Sequence, residues 1–247
     1  MIKIVPNSQN FETRLDWLIS FHHFSFGEHY DPQKIDFGPL RVFNDDTIEA
    51  GRGFDFHPHN NMEIVTYVID GTLEHKDSMG NIGVIESGEV QRMTAGTGVF
   101  HSEYNHSKEN PLKLLQMWIY PNKNDLKPSW EQRKFAKEQR QDKLLGIIHP
   151  ENTQNGHSIS IHQDVWFYIS NLTKCMTLTH MLQNRLAYLF VIDGQITVNE
   201  HSLEKQDSAT IQGEKEIAIA ATKNSEVILI DLPVKYSKSG IEVQDDQ

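Results

Sequence analysis

The chain has 247 residues, of which 38% are hydrophobic, enough for one or two domains with substantial cores. It carries 23 Lys and Arg against 34 Asp and Glu, a formal net charge of −11, and such a surface repels nucleic acid. No apolar run approaches the ~20 residues of a membrane span, and a single cysteine, Cys175, excludes intrachain disulfides and a CxxC metal site. We therefore expect a cytoplasmic globular protein that binds neither nucleic acid nor membrane.

Taken in chain order, the predicted elements are almost all short strands. β-Branched and aromatic runs recur between turns rich in Gly, Asn and Asp, a spacing typical of β-sandwiches and barrels. The exception lies in mid-chain, where Ser129 and Gln132 have capping-box spacing and predict a short helix or ordered linker from about Trp130 to Arg140. The polar tail from about Ser237 is expected to fray. The predicted strands are Met62–Ile69, Gly83–Glu86, Val90–Thr94, Lys113–Tyr120, Ser158–His162, Ala187–Ile192, Gln195–Asn199, Glu216–Ala221 and Glu226–Leu232.

An internal repeat indicates two domains. The segment Val68–Gly71 recurs as Val191–Gly194, an offset of 123 residues (191 − 68), and a strand, a turn with an acidic residue and another strand follow each copy. Two β domains of similar design in tandem explain this match. The sequence therefore predicts an all-β protein with domains over residues 1–135 and 136–247.

Two short motifs could hold a metal ion. His57 and His59 stand two residues apart, as do His101 and Glu103, and on a strand such pairs point to one face about 6.6 Å apart. Either pair alone could be a polar surface ladder, but together on facing strands they would offer three nitrogens and one oxygen. Glu63 is the rival carboxylate. It lies ~13 Å beyond His59 on a straight strand, so it could reach the ion only if the chain bends, and we prefer Glu103.

The motifs and their surroundings resemble the pirin family, a branch of the cupins, and especially the bacterial pirin-like quercetin dioxygenases. The resemblance implies two jelly-roll cupin barrels with few short helices. It also implies one metal ion, usually iron, in the N-terminal barrel, held by His57, His59, His101 and Glu103, with no departure in either motif. The matching segments span most of residues 15–135 and are Phe24–Phe26, Asn44–Asp46, Gly53–His59, Glu63–Tyr67, Asp77–Gly80 and Ala95–Glu103.

The second copy of the repeat lacks a comparable ligand set. Transferring the first motif by the repeat offset reaches His180 and Leu182, and the second motif corresponds to Ile219 and Ala221. One imidazole among apolar neighbours cannot hold an ion. The C-terminal barrel is therefore predicted to be metal-free, and His180 to be a hydrogen-bonded structural residue.

The resemblance implies an enzyme, a flavonol 2,4-dioxygenase of the quercetin 2,3-dioxygenase type. In this hypothesis His57, His59 and His101 hold Fe(II), and Glu103 is both a ligand and the base that takes the flavonol 3-hydroxyl proton. Dioxygen then opens the central ring with loss of carbon monoxide. The same ligands would also accept Mn, Co, Ni, Cu or Zn.

Two other functions stay open at this point. Some pirins are metal-dependent regulators or redox sensors that bind a protein partner, and an acidic surface could steer such a partner. An isomerase or hydrolase could also use the same ligands, because a fold does not fix its chemistry. We expect a monomer, since two joined barrels already supply the interface that single cupins obtain by dimerising.

Overall fold

The structure is a computed structural model that describes residues 1–153 and 156–238 and the backbone of residues 241–244. The described residues form strands and two three-residue 3-10 helices, Asn7–Gln9 and Lys137–Gln139. None of their helices is long and apolar enough to cross a membrane. The first twelve strands are β1 Ile2–Val5, β2 Phe11–Arg14, β3 Leu18–His22, β4 Leu40–Ile48, β5 Gly53–His59, β6 Glu63–Asp70, β7 Thr72–Asp77, β8 Ile82–Glu86, β9 Glu89–Thr94, β10 Val99–Asn105, β11 Leu112–Ile119 and β12 Ser129–Lys134.

The remaining strands repeat this pattern in the second half of the chain. They are β13 Leu145–Pro150, β14 Ile159–Ile161, β15 Trp166–Leu172, β16 Thr177–Met181, β17 Arg185–Asp193, β18 Gln195–Val198, β19 His201–Glu204, β20 Ser208–Ile211, β21 Glu216–Ala221, β22 Ser225–Pro233, β23 Lys235–Lys238 and β24 Ile241–Gln244. The predicted strands therefore all exist, with ends that differ by a few residues.

Each half is built from a seven-stranded and a four-stranded sheet. In the N-terminal half their orders are β12-β9-β6-β11-β4-β3-β2 and β5-β10-β7-β8. In the C-terminal half they are β1-β20-β17-β22-β15-β13-β14 and β16-β21-β18-β19. The strand orders correspond almost one to one, and this confirms the prediction of an all-β protein with two tandem cupin domains.

One edge strand of the C-terminal half comes from the start of the chain. β1, from the start of the chain, pairs with β20 of the C-terminal half. The equivalent edge in the N-terminal half is occupied by β12, which comes from the segment between the halves and pairs with β9. The division at residues 135 and 136 remains a prediction, but the strand at residues 2–5 lies in the sheet of the other half.

The largest apolar cluster joins the two seven-stranded sheets. Strands such as β6 and β17 are consequently buried along almost their whole length, because one face packs inside its own half and the other against the neighbouring half. This explains why their sequences are nearly continuous hydrophobic runs. The cluster includes Phe43, Val65, Tyr67, Leu115 and Met117 from the first half and Phe167, Tyr188, Phe190, Ile228 and Ile230 from the second.

A short helix or an ordered linker was predicted from about Trp130 to Arg140, and the helix was wrong. Most of that segment is strand β12, and only Lys137–Gln139 form a 3-10 turn. The edge of β9 offers backbone N–H and C=O groups. Pairing with them gives the backbone groups of β12 more hydrogen bonds than a short polar helix would. The Ser129 hydroxyl does not cap a helix but accepts a hydrogen bond from Arg92 Nη1 at 2.6 Å.

The prediction of a frayed tail from about Ser237 was also wrong for the described part. Strand β23 pairs with β24 in an antiparallel hairpin. Regular backbone pairing is therefore possible in spite of the polar sequence. Residues 239–240 and 245–247 lie outside the described residues.

Candidate metal centre

The two predicted ligand motifs lie on neighbouring strands. β5 and β10 are antiparallel, and their register sets His57 directly opposite His101. The register shifts between His101 and Glu103, so that Glu103 is opposite Phe54 on β5 and opposite His75 on β7. The four-stranded sheet of the N-terminal half thus brings the motifs together.

Three histidines converge on one point of this sheet. Each of His57, His59 and His101 has a ring nitrogen within 4.8 Å of one in the other two. The ring centroids are 4.4 Å apart for His57 and His101, 4.8 Å for His57 and His59, and 5.0 Å for His59 and His101. His101 is buried and the other two are half-buried, so a cation between the rings would keep a side open to solvent.

Glu103 belongs to a second, overlapping group. Its carboxylate, one nitrogen of His101 and one nitrogen of His75 also lie within 4.8 Å of one another, and all three side chains are buried. His101 is therefore shared between the two groups. Sequence analysis missed His75, although it stands two residues before the Asp77–Gly80 segment that resembles the pirins.

His101 fits a metal ligand on its own chemistry. Among the described residues, neither of its ring nitrogens has a hydrogen-bond partner, although both are buried. Burial lowers the pKa of His101 to about 3 and the pKa of His59 to about 4. Both rings are therefore neutral at physiological pH, which is the form that binds metal ions.

The carboxylate of Glu103 is held by two side-chain amides. Gln91 Nε2 donates to Oε1 at 2.6 Å, and Gln116 Nε2 donates to Oε2 at 2.7 Å. Thr66 is at the limit of hydrogen bonding, with 3.5 Å from Oγ1 to Oε1. Each oxygen of a carboxylate accepts two hydrogen bonds, so Oε2, which accepts from Gln116, keeps capacity for a further partner. Sequence analysis did not single out either glutamine.

His75 is locked between two neighbours. Its Nε2 lies 3.3 Å from Asp77 Oδ2, and its ring stacks on that of Trp130 with centroids 5.3 Å apart and an interplanar angle of 13°. Its Nδ1 is buried and has no hydrogen-bond partner among the described residues. His75 thus combines a fixed ring with a place in the group formed with His101 and Glu103.

Aromatic side chains extend from the half-buried side of the histidine group. Trp118 packs edge-on against His59 with centroids 4.8 Å apart, and Phe26 packs edge-on against Trp118 at 5.4 Å. His22 stacks on Phe26 at 5.1 Å. These rings form an aromatic wall, defined here as Trp118, Phe26 and His22.

Comparison with known proteins decides the family. Residues 5–119 match the family model described as Pirin, and residues 147–232 match the one described as Quercetinase C-terminal cupin domain. A quercetin 2,3-dioxygenase from Escherichia coli is 44% identical over 218 residues, which are 88% of this chain and 92% of that protein. The chain belongs to the pirin family. The predicted resemblance is thereby confirmed.

Other pirins share both sequence and structure with this one. A pirin-like protein from Caulobacter vibrioides is 38% identical over 216 residues, 87% of this chain and 92% of the relative. The crystal structure of the bacterial pirin YhhW from Escherichia coli in complex with nickel(II) superposes with a TM-score of 0.89 at 41% identity. That match covers 94% of this chain and 99% of the other.

Glu63, the rival carboxylate, has other partners in this pirin. It is fully buried, accepts hydrogen bonds from the Thr94 hydroxyl at 3.1 and 3.2 Å, and lies 2.8 Å from His162 Nδ1. Among the described residues, neither group of potential metal ligands includes it. Its carboxylate connects the two halves of the molecule.

The C-terminal half of the pirin has a different arrangement at the corresponding strands. His180 on β16 lies with its Nε2 2.7 Å from Asp231 Oδ2, as a hydrogen-bonded structural histidine should. Ile219 and Ala221 on β21 are buried in an apolar cluster. That this half binds no metal remains a prediction.

Proposed function

We propose that this pirin is a metal-dependent dioxygenase that cleaves flavonols such as quercetin and releases carbon monoxide. The observation that carries the proposal is His101: its two buried ring nitrogens have no hydrogen-bond partner in the part of the chain that the structure describes, and two further imidazoles lie beside it. A buried polar group without a partner costs about 1–3 kcal/mol, and a bound cation would remove that cost for one of the two nitrogens.

In this proposal His57, His59, His101 and Glu103 hold a single divalent ion, with Fe(II) as our first choice. Three neutral nitrogens and a carboxylate oxygen suit the first-row transition metals in general, and the relative from Escherichia coli was crystallised with nickel(II). When bound, a redox-active ion promotes electron transfer from an electron-rich substrate to dioxygen.

Glu103 is the proposed base. The two amide N–H groups that donate to its oxygens hold the carboxylate in place beside His101. We propose that Glu103 takes the proton of the flavonol 3-hydroxyl. Its burial keeps competing water away from this proton transfer.

The overall reaction balances with dioxygen as the oxidant. Both C–C bonds to the hydroxyl-bearing carbon break, and that carbon leaves with its own oxygen as carbon monoxide. Both atoms of dioxygen remain in the ring-opened ester, one on each of the two carbons that flanked the lost carbon. The proton held by Glu103 returns to the carboxylate of the product.

The aromatic wall supports a flat aromatic substrate. Trp118 stands directly beside His59, and Phe26 continues the apolar surface away from the histidines. Stacked or edge-on aromatic contacts each contribute about 0.5–1.5 kcal/mol beyond area burial. A polycyclic flavonol could therefore bind along this wall with its hydroxyl end at the histidines.

Anaerobic reconstitution with Fe(II), followed by an oxygen electrode and a carbon monoxide assay with quercetin, tests the function. We expect oxygen uptake with equimolar carbon monoxide, lost in His57→Ala and retained in His106→Ala. His106 is a matched control, because it lies just beyond β10, is half exposed and contacts Glu74 instead. Bound iron without turnover would contradict the dioxygenase and favour the metal-dependent regulator.

A further inference from the structure

Two indole–amide pairs hold the Glu103 carboxylate from opposite ends. On one side Trp130 Nε1 donates to Gln91 Oε1 at 2.9 Å, and Gln91 Nε2 donates to Glu103 Oε1 at 2.6 Å. On the other side Trp118 Nε1 donates to Gln116 Oε1 at 3.2 Å, and Gln116 Nε2 donates to Glu103 Oε2 at 2.7 Å. We call these four residues, Gln91, Trp130, Gln116 and Trp118, the Glu103 clamp.

The hydrogen bonds of the clamp allow only one orientation of each glutamine side-chain amide. An indole N–H is a donor and never an acceptor, so each tryptophan requires the amide oxygen of its glutamine. The NH2 group of each glutamine must then face Glu103. The second N–H of Gln91 is directed to Thr66 Oγ1 at 3.2 Å, so every polar atom of the Gln91 side chain has a partner. The clamp therefore presents an amide N–H, which can only donate, to each oxygen of the Glu103 carboxylate.

The clamp lies on rigid elements that face the histidine sheet. Gln91 on β9 and Gln116 on β11 are both in register with Thr66 on β6, which is the strand between them. The glutamines thus come from the seven-stranded sheet, whereas Glu103 comes from the four-stranded sheet. Groups held by sheet backbone are positioned more accurately than groups held by loops.

We propose that Gln91 and Gln116 are positioning residues that fix the Glu103 carboxylate for the metal ion, and that Trp130 and Trp118 act through them. The inference rests on the proposed function only in that Glu103 is a ligand. Without the clamp the carboxylate could rotate about its terminal bond. Metal binding would then have to order the carboxylate, and the metal affinity would fall. Residues that orient ligands in this way typically change metal affinity by about 10–100-fold.

Calorimetric titration of the metal-free protein with Ni(II) measures the effect without any turnover. Gln91→Met and Gln116→Met keep the side-chain length and remove the donor, and we expect each to raise the Kd for Ni(II) by about tenfold or more. Gln132→Met is the matched control. Gln132 is in register with Gln91 on the adjacent β12, but its amide donates to Val84 O instead, so its Kd should match the wild type.

Two further readouts separate positioning from a general loss of structure. The visible spectrum of the Co(II)-loaded protein reports ligand geometry and should change in both glutamine variants but not in Gln132→Met. Trp130→Phe should also weaken Ni(II) binding, and this effect should vanish in the Gln91→Met background, because Trp130 acts through Gln91. Additive effects of the two substitutions would contradict the relay.

The outcomes for the clamp and for the proposed function are distinguishable. Wild-type Kd values and Co(II) spectra in both glutamine variants would overturn the clamp, whether or not quercetin is cleaved. Weakened Ni(II) binding together with no quercetin turnover in the wild type would support the clamp and contradict the dioxygenase. Gln116 is only half-buried, so Gln116→Met decides the matter if Gln91→Met does not fold.

Discussion

Glu63 and His162 form an ion pair between the two halves of the molecule, with 2.8 Å from Oε1 to Nδ1. Glu63 begins β6 and is fully buried, whereas His162 follows β14 in the C-terminal half. The hydrogen bond to Glu63 raises the pKa of His162, against the opposing effect of burial. Glu151, 3.5 Å from Nε2, adds to the increase, and Arg92 opposes it.

This pair predicts that stability depends on pH. The folded pKa of His162 is raised above 6.5, so the stabilisation is complete below about pH 6.5 and is lost as pH rises through the higher folded value. His162→Gln keeps a donor for Glu63 but removes the charge. We expect it to lower the free energy of unfolding by about 1 kcal/mol near pH 5.5 and by less near pH 8.5, measured by urea denaturation. A difference that does not change with pH would contradict the account.

Metal titrations of histidine variants distinguish the two overlapping ligand groups. If the ion lies among His57, His59 and His101, then His101→Gln should weaken Ni(II) binding by about 100-fold or more, because a ligand itself is lost. His75→Gln should have a much smaller effect on the Kd. If His75→Gln and His101→Gln weakened Ni(II) binding equally, the ion would instead lie in the group of His75, His101 and Glu103.

Gly53 sets the distance between the two ligand strands. A Cβ at this position would lie 2.2 Å from the carbonyl oxygen of Glu103 and 2.5 Å from Tyr104 Cα, both of which are backbone atoms. Gly53→Ala should therefore push β5 away from β10, lower the free energy of unfolding by about 1–3 kcal/mol and weaken Ni(II) binding. Gly146→Ala, whose new Cβ would meet only Tyr168 at 3.7 Å, is the control and should bind Ni(II) normally.

Arg140 is a buried cation that joins three parts of the chain. Its Nη1 donates to the Tyr67 hydroxyl at 2.6 Å and to Glu226 Oε1 at 2.8 Å. Arg140→Met would leave the carboxylate of Glu226 without its cation, and we expect a loss of about 3 kcal/mol in urea denaturation. Adding Glu226→Gln should restore part of this loss. A single variant as stable as the wild type would show that the network contributes nothing.

The sequence was sufficient for the strands and for the two ligand motifs because both depend on local spacing. Side chains two residues apart share a face of any strand, so His57 with His59 and His101 with Glu103 could be paired before the fold was known. The segment after Ser129 was mistaken for a helix because its local spacing agrees with a capping box. Its pairing with β9, some forty residues earlier, is not visible in that spacing.

The supporting residues of the site could not be predicted in the same way. Gln91, Gln116 and His75 look like ordinary polar positions in strands, and their importance arises from contacts between strands distant in sequence. Gln91 meets Glu103 only because the two sheets of one domain face each other. Such contacts depend on sheet order and register, which no short motif encodes.

The most direct test of the proposed centre is a crystal structure of the anaerobic protein loaded with Fe(II), with diffraction data collected at the iron absorption edge. The account predicts a single anomalous peak per chain, about 2.0–2.3 Å from a nitrogen of His57, His59 and His101 and from an oxygen of Glu103. A peak bound by His75 with His57 and His59 left free, or no peak in the N-terminal half, would contradict it.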